Sequence, residues 1–119
     1  MNFEIINKRV YFEKQTTIVY LEMTDGNWSM SGRGIALCKN EKKFNKKLSE
    51  KIACQHAKIN ALDGLIQDCK KHLKKYPVVA YEYKPAIEML KKELKIYKKE
   101  LNDIYKADGK PWQTNLIML

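Results

Sequence analysis

The chain has 119 residues, 45% of them apolar and 31% charged, with a formal net charge of +9. That length holds one domain with a genuine core, and no apolar run approaches the ~20 residues a membrane-spanning helix needs. The first ten residues, MNFEIINKRV, carry no secretory h-region, and three cysteines at irregular spacing fit reduced thiols in a cytoplasm better than a disulfide framework.

In chain order, FEIIN (3–7) and RVYFE (9–13) read as two short strands, and TTIVYLEM (16–23) as a stronger one, dense in β-branched and aromatic residues. Thr24-Asp25-Gly26-Asn27 is a turn, with Gly26 and Asn27 tolerant of positive φ. SMSGRGIALC (29–38) returns antiparallel, and Lys39–Lys43 is a polar linker. A first helix is expected from an N-cap at Asn45 to about Lys75. Its apolar positions are Leu48, Ile52, Ile59, Leu62, Ile66, Cys69 and Leu73, a heptad-like seam with Gln55 in the missing slot. Gly64 falls inside it and marks a kink or a close helix contact. YPVVAYEYKP (76–85) breaks the pattern, and Pro85 suits the first turn of a second helix. That helix carries Ile87, Leu90, Leu94, Tyr97, Leu101 and Ile104, with Gly109 as its stop. The remainder, KPWQTNLIML, is apolar enough to dock.

The expected architecture is α+β: a small antiparallel sheet in residues 1–40, two long helices in 44–106, and a docking tail in 107–119, all one domain. Helices of roughly 45 and 30 Å outrun a sheet of three or four short strands. They should pair as an antiparallel hairpin or between subunits, and the uncovered apolar surface points to a homo-oligomer, at least a dimer.

The charge is unevenly placed. Residues 1–40 hold five Lys/Arg against four Asp/Glu, whereas 41–119 hold eighteen against ten. Nearly all the excess is lysine, the only arginines being Arg9 and Arg33. Arginine is the better bidentate phosphate ligand, while lysine is a solvated point charge. Runs at Lys70, Lys71, Lys74, Lys75 and at Lys91, Lys92, Lys95, Lys98, Lys99 would both lie towards the tip of a hairpin as a nucleic-acid footprint. A solvated helix face, with Glu88 paired to Lys92, accounts for them more simply.

The centre of interest is Gly32-Arg33-Gly34. Strand alternation puts Trp28, Met30, Gly32, Gly34, Ala36 and Cys38 on one face, small enough for a helix to approach. Ser29, Ser31, Arg33, Ile35 and Leu37 then share the other face, where a second subunit would cover the apolar pair and leave Arg33 in an intersubunit groove suited to an anion. The glycine amides are alternative phosphate donors. Tyr11, Phe12, Tyr20 and Trp28 are core residues or a stacking site for a base. Trp112 with Gln113, Thr114 and Asn115 is a docking anchor or a segment that folds over a ligand. Cys54, His56, Cys69 and His72 are too ill-matched in spacing for a zinc site. No nucleophile elbow, P-loop or paired carboxylates are present, which favours a binding protein over an enzyme.

These parts, TTIVYLEM, WSMSGRGIALC, FNKKLSEKIACQHAKINAL and the second helix with PWQTN, together resemble the Thoeris anti-defence sponge proteins of bacteriophages. The resemblance implies a non-enzymatic protein of the host cytoplasm, without cofactor or metal, that sequesters a cyclic ADP-ribose isomer and so blocks a bacterial defence. It implies an intersubunit pocket in which Gly32, Arg33 and Gly34 meet the diphosphate, Trp28 or Trp112 stacks on adenine, and Gln113, Thr114 or Asn115 reads ribose hydroxyls. The competing readings are a basic nucleic-acid-binding module and a helix-mediated protein-interaction protein.

Overall fold

The computed structural model describes residues 2–108 and 112–113. The fold is α+β: an antiparallel sheet of β1 (Glu4–Glu13), β2 (Thr16–Thr24) and β3 (Ser29–Cys38) is followed by α1 (Lys46–Lys75) and α2 (Ala80–Asp108). A two-residue β4 (Trp112–Gln113) adds antiparallel to β3, so the sheet order follows the chain. Of the tail expected to dock, Gly109, Thr114 and Asn115 lie outside the described residues.

β1 is one ten-residue strand rather than two short ones. Lys8 had looked like a break between them. Instead its ammonium crosses to α1 and meets the Glu50 carboxylate at 3.0 Å, so the strand runs straight through it. The irregularity comes earlier, as a register shift between Ile5 and Asn7.

The β2–β3 turn forms where its residues demand. Gly26 takes φ 95°, and the Asp25 carboxylate accepts from the amides of Asn27 and Trp28 at 2.9 and 2.7 Å. Asn27 does not need positive φ. The turn between β1 and β2 places Lys14 at φ 54°, the one such non-glycine among the described residues.

The polar linker contains a single 3-10 turn, Glu41–Lys43, capped by Asn40. Asn45 then caps α1 as expected, its side chain accepting from the Leu48 amide at 3.0 Å. Between the helices only Tyr76 and a 3-10 turn, Pro77–Val79, intervene. So short a link forces α1 and α2 antiparallel. Pro85 lies inside α2 rather than in its first turn, because helix geometry begins at Ala80.

The core is one cluster. It joins Val19, Leu21 and Met23 of β2 to Ala36 and Cys38 of β3, to Ile52, Leu62 and Ile66 of α1, and to Ile87, Leu90 and Leu101 of α2. Gln55 occupies the seam as its spacing implied: it is buried and donates to the Tyr97 carbonyl at 2.9 Å. Tyr97 itself is so enclosed that its phenol pKa is pushed up to about 12, by burial first and then by Glu93 and Glu100. Thr17 and Ser49, both fully buried, hydrogen-bond each other between β2 and α1. The molecule measures 55 × 26 × 25 Å, the helical hairpin setting the long axis. Among the described residues no helix is long and apolar enough to cross a membrane.

Candidate functional site: the open face of the sheet

α1 lies directly on β3. A Cβ at Gly32 would collide with the backbone of Ala57 and Ala61, and one at Gly34 with Ala53 and Ala57. The two glycines therefore bring a helix onto a strand at backbone contact. Their amides are committed as well. The Arg33 carbonyl accepts from Asn60 Nδ2 at 2.7 Å, and the Ile35 amide donates to His56 Nδ1 at 3.1 Å. Odd-numbered residues of β3 thus turn their backbone groups to the strand's outer edge, so Gly32 and Gly34 turn theirs to β2. As phosphate ligands the glycines are excluded, and of the Gly-Arg-Gly triplet only Arg33 is left to contact a ligand.

Arg33 points away from α1 and is exposed. In register beside it stands Tyr20 of β2, and beside Tyr20 stands Arg9 of β1. The chain's only two arginines therefore flank one tyrosine in a single cross-strand row, on the face of the sheet turned away from α1. The Arg9 guanidinium carbon sits 6.0 Å from the Tyr20 ring centre. Tyr11 meets Tyr20 edge-on, 5.8 Å between centroids and 84° between planes. Among the described residues neither guanidinium is within ion-pair reach of a carboxylate. The row borders a depression of about 360 Å³, lined also by Asn7, Glu22 and Ser31. A neighbouring one of about 300 Å³ is lined by Arg9, Tyr11, Ile18 and Tyr20.

Arg9 is the residue the strand-by-strand reading missed as a site residue, and Tyr20, named there among four aromatics, was not set beside Arg33. Splitting β1 in two at Lys8 lost its phase, and hence which residues shared a face with Arg33. Continuous alternation from Asn7 through Arg9 and Tyr11 would have found them.

The other candidates are dispersed. Trp28 turns to the helices, where its ring meets Tyr83 edge-on at 5.9 Å. Tyr83 in turn lies 4.8 Å from His72, and His72 lies 5.0 Å from Tyr76. Trp28 is thus part of an aromatic cluster at the hairpin tip, not a stacking partner beside Arg33. Trp112 and Gln113 pair with Cys38 and Leu37 through their backbones. Ile35, expected to need a second subunit, is only 4% exposed within the single chain.

His56 is buried, and burial holds its pKa below the usual histidine value. Since Nδ1 accepts the Ile35 amide, the neutral ring carries its proton on Nε2. Burial likewise raises the Cys54 and Cys69 thiols. Among the described residues no three His, Cys, Asp or Glu side chains converge to hold a metal. The lysine runs do not converge either. Lys70–Lys75 reach the tip, but Tyr97 sits beside Gln55, so the second run is spread from roughly 15 to 30 Å back along the hairpin. Glu88 pairs with Lys91 at 3.7 Å rather than with Lys92. No protein-family model, curated protein or solved structure matches this chain.

Proposed function

We propose that this protein binds an anionic nucleotide on the open face of its sheet and sequesters it unaltered. The observation that carries this is the row Arg9–Tyr20–Arg33. Two guanidiniums without carboxylate partners among the described residues, either side of an exposed ring, match a diphosphate joined to a base. The resemblance to Thoeris anti-defence sponges supplies the ligand class, a cyclic ADP-ribose isomer. The exposed Tyr11 and Tyr20 give the face an apolar component that a second protomer would cover, which supports a homo-oligomer with the ligand held between subunits.

Isothermal titration with cyclic ADP-ribose isomers tests the reading. Micromolar or tighter binding at one ligand per protomer is expected, with the ligand recovered intact after heat denaturation. Arg9→Ala and Arg33→Ala should each weaken binding by about tenfold or more, the worth of a charge-assisted hydrogen bond. Both are exposed, so the melting temperature should hold. Absence of binding, or recovery of a hydrolysed product, rules the reading out.

A further inference from the structure

The depression that holds the arginine row holds a second row beside it. One alternation step along each strand, Asn7, Glu22 and Ser31 stand in register on the same face, all three exposed. They line the same volume of about 360 Å³. The step is ~6.7 Å along the strands, a distance a sugar attached to phosphates on the arginine row can reach.

The fold does not account for Glu22. It makes no ion pair among the described residues, although both arginines lie diagonally across from it. A carboxylate beside an anion site repels the ligand unless the ligand offers donors there. Ribose hydroxyls are such donors, and a carboxylate accepting from them is a general solution in nucleotide-binding sites. The two guanidiniums offset the repulsion felt by the phosphates.

We infer that Glu22 makes this face selective for ribonucleotides, its carboxylate accepting from a ribose hydroxyl while Asn7 and Ser31 orient the sugar on either side. This rests on the nucleotide reading above and adds to it the sugar that is recognised. An inorganic polyphosphate would meet Glu22 as a like charge, and a deoxynucleotide would leave it desolvated without a partner.

Titration of the full chain with three probes decides the matter: ADP, 2′,3′-dideoxy-ADP and inorganic pyrophosphate. The wild type should prefer ADP over the dideoxy compound by about tenfold, as expected for a hydrogen bond to a charged group. Glu22→Gln should abolish that preference, weakening ADP while strengthening pyrophosphate. Unfolding cannot move two ligands in opposite directions, so the crossed result is specific. Equal affinity of the wild type for ADP and dideoxy-ADP overturns the proposal, as does a Glu22→Gln change of the same sign for ADP and pyrophosphate. Failure of all three probes while cyclic ADP-ribose binds overturns this inference alone. Failure of cyclic ADP-ribose as well overturns both.

Discussion

The three glycines of β3 and α1 illustrate how differently one residue type can be used. At Gly34 the helix backbone occupies the space a methyl group needs. Gly34→Ala must push α1 off the sheet, and a loss of about 3 kcal/mol is expected, at the upper end for overpacked cores. Gly64 has nothing within 4 Å of where a Cβ would stand. It is not a close contact, and Gly64→Ala should stabilise by about 0.5–1 kcal/mol through helix propensity and a less flexible unfolded chain. Urea denaturation of the two variants gives opposite shifts if the packing is as described. Gly34 was legible in the sequence, because period-two alternation sets it with Gly32 and Ala36. The emptiness around Gly64 was not, since it depends on which side of α1 faces the sheet.

At the level of elements, β3 owes its stability to α1 twice over. The helix buries the strand's small-residue face, and its His56 and Asn60 side chains satisfy the amide of Ile35 and the carbonyl of Arg33 at the strand's outer edge. Nothing in a local reading of FNKKLSEKIACQHAKINAL reveals that role. His56 was weighed only as a metal ligand and set aside, and only the helix-to-strand contact made by the two glycines brings it to the edge. The device is sensitive to acid. In the unfolded chain His56 takes a proton below about pH 6.5, whereas burial keeps it neutral in the fold. The unfolded state then binds the extra proton, so stability falls as pH drops from about 6.5 towards the lower folded pKa, and is full above that window. Denaturation midpoints at neutral pH and at about pH 5.5 should show this decline. His56→Gln, whose amide oxygen can still accept from Ile35, should flatten it. The same scale explains the missed arginine: a strand's phase is lost at one misjudged residue, and Lys8, pairing inward with Glu50, was that residue.

For the whole molecule, the α+β plan with two long helices followed from the strand pattern and two apolar seams, and the short link seen in the structure selects the hairpin over pairing between subunits. Of the two sheet residues expected to need a partner, Ile35 and Leu37, Ile35 is already enclosed within the single chain. The case for self-association has moved to Tyr11 and Tyr20, which are 50% and 39% exposed beside the arginine row. If the open faces meet, Tyr11→Glu should shift the protein to monomer in sedimentation equilibrium and weaken nucleotide binding together. A monomeric wild type at micromolar concentration would exclude an intersubunit pocket.

The choice of sedimentation equilibrium follows from the shape. At 55 Å by 26 Å the chain is a rod about twice as long as it is wide. Frictional drag grows with such elongation while mass does not, so a single 14.0 kDa copy migrates through a porous matrix as a larger compact sphere would. Elution volume alone therefore mixes shape with mass, and a measurement that responds to mass independently of friction separates elongation from association.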